Sequence, residues 1–143
     1  MSENDKFMDL PVWYLQRTDF DNDGNLINPL LRNKKVLVML QANYCGYCTQ
    51  AKPDFQRVAA QIVELAKGNG DPNSGKAKQL VFATIQADGN EPGEKEIMDI
   101  MDKIKPDFQG FPDYVYYING RRRHDAGPNG RDANHLINYV MGD

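Results

Sequence analysis

The sequence predicts a protein of the α/β class, and three observations carry that expectation. Val36–Leu40 is an unbroken apolar run, the pattern of a strand buried on both faces of a sheet, and Leu80–Ile85 reads as the next buried strand. Between them, Phe55, Val58, Ala59, Ile62, Val63 and Ala66 recur at spacings of three and four, one apolar stripe of a helix running from Cys45 to about Lys67. Asn119-Gly120 is the strongest short hairpin signal in the chain and joins Tyr114–Ile118 to Arg121–Asp125.

A chain of 143 residues fits one domain with a real core. The first 29 residues hold six acids (Glu3, Asp5, Asp9, Asp19, Asp21, Asp23) against Lys6 and Arg17, and read as an acidic N-terminal extension packed on or flanking a domain of residues 30–143. Within it Val12–Leu15 is a short strand or a segment laid on the flank, with Trp13 as a packing anchor. A net charge of −3 with 26% charged residues describes an ordinary acidic globule and gives no reason to expect nucleic acid or membrane as a partner. Met1–Phe7 is too polar for a signal peptide, and no apolar run nears the roughly 20 residues of a membrane span, so a cytoplasmic monomer is expected.

The sequence concentrates its chemistry at Tyr44-Cys45-Gly46-Tyr47-Cys48. A cysteine at the first turn of a helix faces unpaired backbone N–H groups and the positive end of the helix dipole, which favours thiolate over thiol. Two intervening residues bring Cys48 one turn on, within reach of a small disulfide. Cys45 is therefore the expected nucleophile, exposed to its substrate, and Cys48 the resolving thiol. Two cysteines cannot build a multi-bridge scaffold, and in a reducing compartment such a pair is expected to cycle.

The strand, the aromatic Tyr44, Cys45-Gly46-Tyr47-Cys48 and Pro53 together resemble the thioredoxin superfamily. So do Gly110-Phe111-Pro112, Tyr114–Gly120, and Gly130-Arg131 ahead of Leu136–Val140; these last three segments are most similar to protein disulfide isomerase domains. The resemblance covers roughly Lys34 to Val140 and implies a thioredoxin fold: a mixed central β-sheet of four or five strands, flanked by helices on both faces, carrying the N-terminal extension. It implies a thiol–disulfide oxidoreductase acting on protein substrates, with a redox partner protein and no cofactor. It further implies a cis peptide at Phe111-Pro112, strand addition of an extended client beside it, and a docking surface of Tyr44, Gly46, Tyr47, Phe111 and Pro112. Gly46-Tyr47 between the cysteines implies a reduction potential between the roughly −270 mV of thioredoxin and the roughly −120 mV of strong oxidants. Relatives usually carry a buried acid six residues before the first cysteine as a proton acceptor for the resolving thiol, and this chain has Met39 there. Asp88 matches an acidic position after the following strand, or is a solvated turn residue.

Other motifs read more plainly. Asp19, Asp21 and Asp23 before Gly24 mimic half of an EF-hand, but Leu30 stands where the bidentate glutamate belongs. A side-chain-closed turn with Gly24 at positive φ is expected instead. Pro53 should kink the first helix, Gly68–Gly75 is a surface loop without a phosphate motif, and Glu94–Ile104 is a short helix presenting Ile97, Ile100, Met101 and Ile104. Arg121, Arg122 and Arg123 are expected to lie solvated on an edge strand. Arg131–Met141 should close the chain as a helix with Leu136, Ile137, Val140 and Met141 inward. His124 and His135 have no metal-ligand spacing, and one C-x-x-C supplies half the thiolates of an iron–sulfur site, so no metal is expected. Two other functions stay open. One is a binding or scaffold module of the same fold with little redox turnover, which an unreactive buried Cys45 would mark; the other is a glutathione-dependent glutaredoxin, whose usual dipeptide is Pro-Tyr.

Overall fold

The computed structural model describes residue 8 and residues 10–42, 44–68, 72–89, 92–123 and 127–142. Glu3, Asp5, Lys6 and Asp9 of the acidic segment, and His124 to Ala126 beyond the hairpin, lie outside the described residues. A five-stranded sheet in the order β1-β3-β2-β4-β5 is built from β1 (Trp13–Tyr14), β2 (Lys35–Gln41), β3 (Leu80–Gln86), β4 (Asp113–Ile118) and β5 (Arg121–Arg122). β2 lies at the centre, parallel to β3 and antiparallel to β4, and β1 runs parallel to β3 at the edge. This is the mixed α/β sheet of a thioredoxin fold.

Strand alternation sorts the core into two layers. Leu37, Met39, Phe82, Tyr114 and Tyr116 point toward α1 (Gly46–Lys67) and α4 (Ala133–Met141). Val36, Val38, Leu40, Ala83, Ile85, Val115 and Tyr117 point the other way, against Leu15, Phe20, Leu26 and Leu31 and against Ile97, Ile100, Met101 and Ile104. β2 is buried along nearly its whole length because both of its faces and both of its edges are covered. Residues 10–31 thus contribute both an edge strand and part of the second layer.

Helix α1 buries Cys48, Ala51, Lys52, Phe55, Val58, Ala59 and Ile62, whereas Val63 is exposed. The expected stripe extends back through the first turns to Cys48, and Val63 lies at its edge. The segment Glu94–Ile104 is not one α-helix but a 3-10 helix, Lys95–Ile100, followed by a single α turn, α3 (Met101–Ile104). Its buried residues pair at intervals of three, Ile97 with Ile100 and Met101 with Ile104, the spacing that a 3-10 turn stacks on one side. Part of the Gly68–Gly75 stretch enters a short helix, α2 (Ser74–Ala77), tied to the chain's end by Lys76 Nζ donating to Met141 O.

The acidic Asp19–Leu26 segment closes on itself. Asp21 Oδ1 accepts from the backbone N–H groups of Asp23 and Asn25, and Gly24 has φ +82°. Among the described residues no group of three His, Cys, Asp or Glu side chains could hold a metal ion. Asn119 and Gly120 both take positive φ at the β4–β5 turn, which the right-handed twist of a tight hairpin requires. Two of the three arginines that follow depart from the solvated-edge expectation. Arg121 is exposed, but Arg122 Nη1 donates to Lys103 O and Ile104 O at the end of α3, and Arg123 lies over the Tyr116 and Tyr139 rings. Guanidinium forks and planes find carbonyls and rings that a bare edge would not supply.

Candidate active site

β2 ends at Gln41, and within a few residues the chain turns to begin α1. Cys45 is the N-cap of that helix, with extended backbone at φ −89° and ψ 111°. Its Sγ accepts the backbone N–H of Cys48 at 3.0 Å, satisfying one of the donors that a helix start leaves unpaired. Cys45 and Cys48 are joined as a disulfide. Such a position favours the anion once the bond opens, since the N–H and the helix dipole both stabilise negative charge on Cys45.

The sulfurs lie deeper than the sequence leads one to expect. Cys45 keeps 9% of its surface and Cys48 none, where an open nucleophile was anticipated. The cause is packing: both cysteines belong to the α1-side core with Met39, Ala42, Ala51 and Phe55. What stands exposed is the rim, with Tyr44 and Tyr47 at 76% and 63%. Tyr44 meets Phe111 edge-on at 6.2 Å between ring centroids, which brings the cysteine turn and the Phe111–Pro112 bend together. The Phe111–Pro112 peptide is cis. Gly46 has no atom within 4 Å of where a Cβ would stand, so the dipeptide between the cysteines leaves open space on that side.

Two grooves meet at Tyr47. One, of about 310 Å³, runs past Phe111, Pro112, Asp113, Tyr114, Pro128 and Arg131; the other, of about 270 Å³, passes Gln50, Ala51, Asp54 and Asp132. Arg131 lines both, its guanidinium 5.3 Å from the Tyr47 ring centroid, a cation–π contact that braces the exposed ring. In the sequence Arg131 served only as a landmark before the last helix. Burial pushes the Asp113 carboxyl above its ordinary value, against the hydrogen bond from Tyr114 N–H and the charge of Lys105. Burial likewise pushes the Tyr114 phenol above its ordinary value.

Met39 is fully buried beneath the cysteines, and its neighbour across the parallel register is Thr84. Gln41, Thr84 and Gln86 are buried in the same region, as is most of Lys52, one turn beyond Cys48. Sequence reasoning passed over these four. The available signal was a glutamine or threonine interrupting an apolar strand and a lysine set within an apolar helix stripe. Asp88 accepts from Gln86 Nε2 at 2.8 Å and so belongs to the end of β3 rather than to free solvent.

No family model matches the chain. A protein of Invertebrate iridescent virus 6 described as thioredoxin-like (453L) is 60% identical over 137 residues, covering 96% of this chain and 97% of that protein. Among solved structures, the zinc-bound form of human ERp44 matches with a TM-score of 0.62 at 19% identity, over 92% of this chain and 30% of that one. The first thioredoxin domain of mouse protein disulfide-isomerase A4 matches with a TM-score of 0.57 at 19% identity, over 99% of this chain and 84% of that one. This chain therefore spans about a third of ERp44, and these structural likenesses speak to the fold.

Proposed function

The chain belongs to the thioredoxin superfamily and is a thiol–disulfide oxidoreductase, and from that premise we propose that it exchanges disulfides with protein clients through Cys45, with Cys48 as the resolving thiol. The observation that carries this reading is the Cys45–Cys48 disulfide at the N-cap of α1, with Cys45 Sγ already taking the Cys48 N–H. The thiolate that forms there is a stabilised leaving group and a competent nucleophile at once.

Starting from the disulfide, a client thiolate attacks Cys45 Sγ, the Cys45–Cys48 bond breaks, and Cys48 leaves as a thiolate that takes up a proton. A second client thiolate then cleaves the mixed disulfide, releasing Cys45 as thiolate and the client as a disulfide. Two electrons pass from client to enzyme. The reverse sequence, opened by Cys45 attacking a client disulfide and closed by Cys48, reduces the client. The small residual exposure of Cys45 favours attack on this sulfur over Cys48, which has none. Tyr44, Gly46, Tyr47, Phe111 and Pro112 form the docking surface, with an extended client segment lying along the bend at Pro112; the groove past Phe111 and Pro112 and the exposed aromatic rim support this placement.

The test is reduction of insulin disulfides with a thiol as electron donor, together with recovery of activity by a scrambled disulfide substrate. Wild type should accelerate both, and Cys45→Ser should abolish the acceleration. Equal rates for the two proteins across several redox buffers would reject the assignment.

A further inference from the structure

The sheet face that carries the disulfide also carries a buried polar row that the exchange chemistry leaves unused. Gln41, Thr84 and Gln86 are each fully buried. By alternation they share the face of Met39 and Phe82, the face covered by α1, and register sets Met39 beside Thr84 and Gln41 beside Gln86. The hydrogen bonds fix which way the Gln41 amide points. Thr84 Oγ1 donates to Met39 O at 2.8 Å; with its single proton committed there, it accepts from Gln41 Nε2 at 2.7 Å. Oε1 is left as the open end of Gln41, and it receives no hydrogen bond from any described residue.

Helix α1 connects the parallel strands β2 and β3 and runs antiparallel to both. Phe55 meets Phe82 at 5.3 Å between ring centroids, which sets the helix against the strand. Counting back along the helix at about 1.5 Å per residue, and forward along the strand at about 3.3 Å, puts Ala51 over Thr84 and Cys48 between the Met39–Thr84 and Gln41–Gln86 rows, nearer the second. Cys48 has no solvent exposure, so the proton it gains on reduction must find a partner inside the protein.

We infer that Gln41 is a positioning residue for the redox step: its Oε1 accepts the S–H of Cys48, a donor that exists only in the reduced protein. This rests on the exchange reaction proposed above. Reduction by two glutathione thiolates breaks the Cys45–Cys48 bond, forms one molecule of glutathione disulfide, and leaves an electron pair on each sulfur, with Cys48 taking a proton from solvent. In the disulfide form the Gln41 carbonyl has no donor among the described residues. In the dithiol form it gains one, and the pair is made more oxidising. Gln41 takes no proton itself; it holds the protonated Cys48 where Met39 offers nothing.

The experiment is the equilibrium of the cysteine pair with reduced and oxidised glutathione, measured on wild type, Gln41→Met and Thr84→Val, alongside denaturant unfolding of each protein in both redox forms. Gln41→Met should move the equilibrium toward the disulfide roughly threefold to tenfold, the weight of one hydrogen bond, and lower the stability of the reduced form relative to the oxidised form by the same factor. Thr84→Val, which releases the amide to turn, should move it in the same direction by less. A Gln41→Met protein with the wild-type constant, or one losing stability equally in both forms, overturns the inference and makes Gln41 a structural residue. Should Gln41→Met fail to fold, an unchanged constant in Thr84→Val overturns it alone. A wild-type pair that glutathione cannot reduce sinks the exchange reaction itself, an outcome distinct from an ordinary wild-type constant that ignores Gln41.

Discussion

Gly24 shows how one residue ties the N-terminal segment to the rest of the molecule. At φ +82° it lies in the left-handed region, and a Cβ there would stand 2.7 Å from the backbone carbon of Lys103. Its carbonyl accepts from the Tyr117 hydroxyl at 2.7 Å, a donor that burial keeps protonated across the accessible pH range. Tyr117→Phe leaves that carbonyl unsatisfied and should cost about 1–3 kcal/mol. Gly24→Ala meets both the left-handed penalty and a backbone clash, and should cost more, about 2–5 kcal/mol. Denaturant midpoints at constant slope measure both, and the reverse order would mean that the loop does not dock on α3 as described. The sequence signalled the positive φ of Gly24, because Asp and Asn before a glycine make a turn wherever they occur. It gave no sign of Lys103, which is distant in the chain.

At the scale of elements, helix starts carry much of the chemistry. α1 begins on a cysteine whose sulfur does the capping, and α4 begins on Asp132, whose carboxylate accepts the backbone N–H of His135 and contacts its ring. Those bonds from His135, the ring first and the backbone N–H after it, hold the Asp132 carboxyl below its ordinary value. A carboxylate lowered by folding stabilises the native state above its unfolded pKa, and that contribution disappears as pH falls through the lowered folded value. Asp132→Ala should therefore lower the thermal midpoint at neutral pH, with the difference from wild type fading in acid. A deficit that is constant from neutral to strongly acidic pH would show that the cap contributes nothing through its charge. The cysteine at the head of α1 was legible in the sequence, whereas Asp132 lay inside the helix expected from Arg131 and turns out to be its cap. The broken helix over Lys95–Ile104 was less legible, since intervals of three and four suit an α-helix and a 3-10 turn about equally until the core selects one.

For the whole molecule, the question is what the first 29 residues do. Leu15, Phe20 and Leu26 are buried in the layer opposite α1, and Trp13 and Tyr14 form the sheet's edge beside Ala83 and Thr84. Three such side chains contribute about 5–9 kcal/mol by burial, comparable with the roughly 5–15 kcal/mol net stability of a domain. A chain beginning at Leu30 should lose its cooperative unfolding transition, read by calorimetry or by denaturant with two probes. A sharp transition near the wild-type midpoint would show that residues 30–143 fold without them. Their composition reads as an acidic appendage because the charges lie between the anchors, and the anchors are too short to register as elements.

By itself the sequence determined the class of fold, the sheet's central strands, the helix that follows them and the two cysteines that open it. These follow from local rules: periodicity, turn residues, and the field at a helix start. Only the tertiary structure decided how deeply the sulfurs are set, that Arg131 braces Tyr47, and that Gln41 and Thr84 are buried and hydrogen-bonded to each other across β2 and β3. Those features depend on which residues from separate strands and helices share a face, and a linear chain carries that information only through the packing of the whole.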